Sequence, residues 1–142
     1  MKLLKNQKGL TLIELLAVIV ILGIIAAIAI PSVNTIISNS KKKAQIENAR
    51  ALIDAARYKV NSELISTSST FTLADLQDEK ANYIEKITDP SGNEYNKTSS
   101  KVIATEKNGS FTYSVCLVGS DYDIGDGTTC IAESELTDYA FK

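Results

Sequence analysis

Apolar positions fall into three patterns along the chain: an unbroken run, a helical stripe and a stretch of alternation. From Leu10 to Ile30 only Thr11 and Glu14 are strongly polar, and from Leu15 onwards no polar side chain interrupts the run. As a helix this run is long enough to cross a hydrocarbon core of ~30 Å. Beyond it Ile46, Ala49, Ile53, Ala56 and Val60 recur at steps of three and four, which draws one apolar stripe down a helix. Glu47, Arg50, Asp54, Arg57 and Lys59 fall on the opposite surface. The spacing predicts one helix from about Leu10 to about Ser62. Ser32, Asn34, Ser38, Asn39 and Ser40 are poor helix formers and favour a bend near 31 to 40.

The remainder is more polar. NSELISTSST, 61 to 70, reads as a loop by composition. Thr72 and Asp75, with Leu73 and Leu76 between and after them, read as the cap of a short helix, and DPSGNE at 89 to 94 is turn chemistry. VIAT, 102 to 105, and FTYSVCLV, 111 to 118, are strand-like runs separated by a hairpin signal at Asn108 and Gly109. Phe111, Tyr113, Val115 and Leu117 alternate with Thr112, Ser114, Cys116 and Val118, so one sheet face is expected to pack on the Ile46 to Val60 stripe. A stable sheet needs a third strand, which either 131 to 141 or 84 to 88 can supply. The fold class expected is α+β: a long N-terminal helix packed through its second half on a small antiparallel sheet.

Composition narrows the function. The 15 Lys and Arg against 17 Asp and Glu give a net charge of -2, so nucleic acid is not indicated as a partner. There is no histidine, which removes the commonest general base and the commonest transition-metal ligand. With no nucleophile elbow or phosphate loop either, no catalytic residue, cofactor or metal site is expected, and the chain does not read as an enzyme. Asp121, Asp123 and Asp126 offer oxygen atoms of the kind calcium binds. An EF-hand loop, however, would want Asp or Asn where Gly125 stands and glycine where Asp126 stands, so DYDIGDGTTC reads as a solvated turn. Cys116 and Cys130 are enough for one disulfide if this half is exported, with a loop-closure contribution of ~3 kcal/mol; in a reducing compartment they are two thiols.

Lys2, Lys5 and Lys8 precede the apolar run in the manner of a secretory signal peptide, but the run exceeds the usual h-region, and its small-residue site Ala27-Ile28-Ala29 lies just before Pro31. Lys41, Lys42 and Lys43 follow the run, so flanking charge alone leaves orientation nearly tied. The triplet reads most simply as a solvated or lipid-headgroup face; once the resemblance given next implies further copies of the chain, inter-subunit ion pairs with Glu47, Asp54 or head acids are the sharper reading.

The stretch Lys8, Gly9, Leu10, Thr11, Leu12, Ile13, Glu14 resembles the processing site of type IV prepilins and pseudopilins: a short basic leader ending in glycine, and a glutamate fifth in the mature chain. The resemblance extends to Gly23 and Pro31, where family members often carry helix-weakening residues. It implies a leader at 1–9, a transmembrane and filament-core helix at 10–31, an amphipathic helix at 32–62 and a pilin-like sheet head with a C-terminal disulfide loop at 63–142. Cleavage would fall between Gly9 and Leu10, with N-methylation on the new Leu10 amine, although many relatives begin with phenylalanine there. The implied partners are a prepilin peptidase on the cytoplasmic side, a membrane assembly machinery, the lipid bilayer before assembly and further copies of the chain in a helical filament. Leader inside and head outside follow from the same resemblance, with a cell-surface filament after assembly.

Glu14 then acquires a role. A carboxylate near the hydrocarbon centre costs at least ~2.5 kcal/mol and needs a partner, which the resemblance supplies as the Leu10 amine of a neighbouring subunit. Unwinding between Gly23 and Pro31 would lengthen a subunit by ~13 Å. The alternatives are a pseudopilin of a type II secretion or DNA-uptake machine, and a surface binding module held by an uncut anchor.

Overall fold

The computed structural model describes Gly9, residues 11–137 and Tyr139. The chain is α+β, with a 51-residue helix α1, Leu12–Ser62, followed by a four-stranded antiparallel sheet. It forms two compact units, one extending to Ser38 and the other starting at Asn39.

In the first unit every residue from Leu12 to Ile37 is exposed, although most are Leu, Ile, Val or Ala. β-branched residues lower helix propensity in water, but hydrocarbon forces every backbone group to be paired within the segment, and a helix does that. The poor helix formers between 31 and 40 do not interrupt the hydrogen-bonded helix. Pro31 lies within it, and the Thr35 hydroxyl donates to the Pro31 carbonyl at 3.2 Å.

The second unit is built on the rest of α1. Gln45, Ala49, Leu52, Ile53, Ala55, Ala56 and Val60 are buried there. The stripe is thus broader than the spacing of Ala49, Ile53, Ala56 and Val60 indicates, taking in Leu52 and Ala55, while Ile46 is only half-buried. The helix ends where Leu64 turns to φ 53°, with the Ile65 amide donating back to the Val60 carbonyl at 3.0 Å.

The sheet runs β1 (Ser69–Thr72), β2 (Lys101–Lys107), β3 (Ser110–Cys116), β4 (Ile131–Ala132) in that order. Asn108 and Gly109 form the two-residue turn between β2 and β3, with φ 55° and 80°, and Lys107 pairs with Ser110. Opposed pairs Val102 and Val115, Ala104 and Tyr113, and Phe71 and Val102 place Phe71, Val102, Ala104, Tyr113 and Val115 on one buried face, in the same core as the α1 stripe.

The sheet revises one expectation and decides a choice that the sequence left open. Residues 61–70 are not all loop: Ser69 and Thr70 open β1, because Phe71 supplies the core-facing position a short edge strand needs. Of the two candidate third strands, 131–141 contributes β4, whereas 84–88 yields only the single bridge between Thr88 and Glu94. Between β1 and β2, α2 (Leu73–Leu76) is capped as expected, Thr72 accepting from the Asp75 amide at 3.2 Å and Asp75 accepting from the Thr72 amide at 2.8 Å.

Candidate assembly and processing site

Gly9 is exposed, with no described residue within 4 Å of the position a Cβ would take, while Leu10, the expected position of the new N-terminus and of its methylation, lies outside the described residues, as does the leader up to Lys8. Glu14 sits in the first turn of α1. Its Oε2 accepts from the Thr11 amide at 2.7 Å and from the Thr11 hydroxyl at 2.9 Å, and the Glu14 amide donates to the Thr11 hydroxyl at 3.3 Å. This is a capping box at the start of the apolar helix. The signal for it, Thr11-x-x-Glu14 immediately before an apolar run, is present in the sequence. Within one chain, therefore, Glu14 already has two donors on one of its oxygens, and any pairing to a neighbour must use the other oxygen or displace Thr11.

Gly23 has nothing within 4 Å of the position a Cβ would take, and Pro31 lies inside the same helix. The residues flanking them are exposed and apolar, from Leu12 at 88% to Ile37 at 48%. This helix, in the described residues, is long and apolar enough to cross a membrane, and none of that segment is buried within the chain.

Among the described residues of the second unit no buried side-chain nitrogen or oxygen lacks a hydrogen-bond partner. Gln45 is fully buried on the stripe line, its Nε2 donating to the Tyr122 carbonyl at 2.7 Å and its Oε1 accepting from the Tyr95 hydroxyl. Asn48 donates to the same hydroxyl at 2.9 Å and to the Thr88 carbonyl at 2.9 Å. Burial pushes the Tyr95 phenol up to about 12. Asp89 is buried beside this network; burial would push its carboxyl up, but the amides of Asn93, Ser120 and Ser91 outweigh it and hold it below the usual range.

Cys116 and Cys130 form a disulfide. The loop it closes is held by mutual hydrogen bonds between Leu117 and Ile124, by Asp123 accepting from the Gly119 amide at 2.8 Å, and by Asp126 accepting from the amides of Thr128 and Thr129. Two of the three loop carboxylates are thereby turned onto backbone amides. Gly125, at φ 70°, has no room for a side chain: a Cβ would stand 2.4 Å from the Thr129 carbonyl oxygen.

The charged side of α1 differs from a plain solvated surface. Arg57 pairs with Asp54 at 2.6 Å and with both oxygens of Glu133 at 2.8 Å, and lies over the Tyr113 ring; Arg50 donates to Thr137 at 2.9 Å. These bonds fasten the C-terminal segment to the helix. Asp54, one expected inter-subunit partner of the lysine triplet, is used within its own helix. Lys41 and Lys42 are half-buried and Lys43 is exposed.

The prokaryotic N-terminal methylation motif matches residues 4–30, a span that contains Gly9, Leu10, Glu14 and Gly23. Over 67 residues the chain is 39% identical to the type IV major alpha-pilin of Moraxella bovis, covering 45% of this chain and 42% of that one. Over that stretch the chain is similar to a type IV pilin. A fimbrial protein of Moraxella nonliquefaciens is 36% identical over 86 residues (61% of this chain, 51% of that one), and one of Pseudomonas aeruginosa is 37% identical over 68 residues (46% and 44%). The chain spans about half the length of the curated relatives it matches. No solved structure matches it.

Proposed function

We propose that the chain is a structural, non-enzymatic subunit of a type IV pilus or pilus-like filament. The observation that carries this reading is the coincidence, in one segment, of the methylation motif at 4–30 with a helical stretch, 12 to 37, whose apolar side chains are exposed among the described residues. A surface of that kind requires lipid or other copies of itself. The sequence of events is insertion with the head outside, cleavage between Gly9 and Leu10 by a prepilin peptidase, and transfer by a membrane assembly machinery from bilayer to filament. Lipid and the helices of neighbouring subunits are interchangeable solvents for the Leu12 to Ile37 surface, so the transfer changes little hydrophobic free energy.

Direction is then set by charge. Cleavage creates an ammonium at Leu10, and the Glu14 oxygen not engaged by Thr11 is the acceptor for the ammonium of a neighbour. In an apolar surrounding such a pair fixes register, since a one-step slip leaves a charge unpaired. Gly23 and Pro31 mark the segment that unwinds in the filament; in the single chain it is helical.

Electron microscopy of filaments sheared from the cell surface, with mass spectrometry of their subunit, tests the proposal. The expected subunit begins at Leu10. Filaments lacking this chain, or a surface chain still carrying Met1 or Lys2 at its start, would favour the uncut anchored binding module instead.

A further inference from the structure

Of all the asparagines in the chain, Asn108 is the one followed by glycine, and it stands at the exposed tip of the β2–β3 hairpin. A glycine after asparagine leaves the backbone nitrogen unhindered, and asparagine is among the thermolabile residues for this reason. The reaction is internal. The Gly109 nitrogen attacks the Asn108 side-chain carbonyl carbon, loses its proton to solvent and expels ammonia, which closes a five-membered imide. Water then opens the ring at either carbonyl, so the balance is asparagine plus water to aspartate or isoaspartate plus ammonia.

The structure shows what opposes this. Asn108 and Gly109 are both held at positive φ in a two-residue turn, and the Gly109 amide donates to Glu106 Oε1 at 2.7 Å. Attack requires the nitrogen to rotate over the side-chain carbonyl and reach near-attack distance, which breaks the Glu106 bond and deforms the turn. Removing the amide proton beside a carboxylate also sets two negative charges against each other. Glu106 is itself fixed at the strand end, its amide donating to the Ser68 hydroxyl at 2.9 Å and its residue paired opposite Phe111.

We propose that Asn108–Gly109 is a latent self-modification site and that the Glu106 carboxylate is its guard, so that loosening the hairpin tip converts Asn108 into a new surface carboxylate. The full chain in detergent micelles is incubated at mildly alkaline pH, and peptide mapping measures aspartate plus isoaspartate at 108. The reference is the same chain reduced and held in denaturant. Folded wild type is expected to react at least about tenfold more slowly than the unfolded reference, Glu106→Ala about fivefold faster than wild type, and Glu106→Gln, which keeps an acceptor but no charge, between them. Gly125→Ala weakens the fold elsewhere and is expected to leave the rate at 108 unchanged. A Glu106→Ala rate equal to wild type, or a Gly125→Ala rate raised as much as that of Glu106→Ala, overturns the proposal. Should the alanine variant not fold, a Glu106→Gln rate equal to wild type overturns it.

Discussion

One helix, α1, is solved twice in this chain by opposite rules. Up to Ser38 it exposes apolar side chains and satisfies its lone carboxylate with a residue three positions away. From Asn39 it buries a stripe, seats a fully buried glutamine on two loops and uses its charged side to bind the C-terminal segment. The difference separates assembly from folding. The first stretch is incomplete until something else surrounds it, whereas the second reaches a closed core with its own residues.

The largest effect expected follows from that separation. Glu14→Leu removes the acceptor proposed for a neighbour's ammonium and half of the capping box. It should insert and be cleaved, yet give few or no surface filaments, while the head melts as in wild type. Thr11→Val sharpens the result: it removes the hydroxyl but leaves the carboxylate, so partial assembly would show that the trans pair and not the cap carries the effect. Normal filament yield from Glu14→Leu would remove the pairing from the account.

Within the head, breaking the disulfide comes next. Cys116→Ala with Cys130→Ala should lower stability by ~3 kcal/mol, the loop-closure scale, and reductant should mimic it in wild type but not in the double variant. Gln45→Ala removes the donor to the Tyr122 carbonyl and the acceptor of the Tyr95 hydroxyl, at a cost of ~2–3 kcal/mol. Thermal melts of the full chain in micelles read both. If Gln45→Ala leaves the melting temperature unchanged, the polar network is not what seats the helix.

Acid and alkali probe the same head from its titrating groups. Asp75 is held low by the Thr72 hydroxyl and amide, Asp126 by the Thr129 and Thr128 amides, and Asp89 by its three amide donors against the opposing effect of burial. Their lowered values in the fold mean that the stability they contribute is fully present above the ordinary aspartate value of 3.8 and is lost as pH falls through the lowered values. Tyr95 runs the other way: raised from 10.0 to about 12, it contributes fully below pH 10 and loses that contribution as pH rises towards 12. The melting temperature should therefore be flat at intermediate pH and fall at both ends, and Tyr95→Phe should lessen the alkaline fall, part of which remains with the raised Tyr113 and Lys59, and leave the acid side as in wild type.

What could be read from the sequence follows the range of the interactions. The helix, its stripe, the Asn108–Gly109 turn and the α2 cap all depend on residues a few positions apart, and periodicity or a short motif exposes them. β1 is hidden because Ser69 and Thr70 look like loop and become strand only by pairing with Ala104 and Ile103. Gln45 is hidden differently. It occupies the stripe line four residues before Ala49, but its partners Tyr95 and Tyr122 lie far along the chain, and no local pattern announces them. The Thr11–Glu14 box is local, three residues apart, and belongs with the features that a short motif exposes.

Leu64 gives the smallest expected effect. It closes α1 in the left-handed region at φ 53°, a position where glycine or asparagine is usual, and its side chain is 86% exposed. Its backbone geometry is required by the bond from the Ile65 amide to the Val60 carbonyl, so the leucine side chain carries a steric penalty and recovers little by burial. Leu64→Gly should therefore raise head stability by ~1 kcal/mol, read as a higher melting temperature with the helix content unchanged. If the head gains stability and filaments still form in normal yield, leucine at 64 serves neither the fold nor assembly. If the head gains stability while filaments become fewer, the comparison between the two stretches of α1 has to be redrawn, because a residue of the closed head would then belong to the assembling surface.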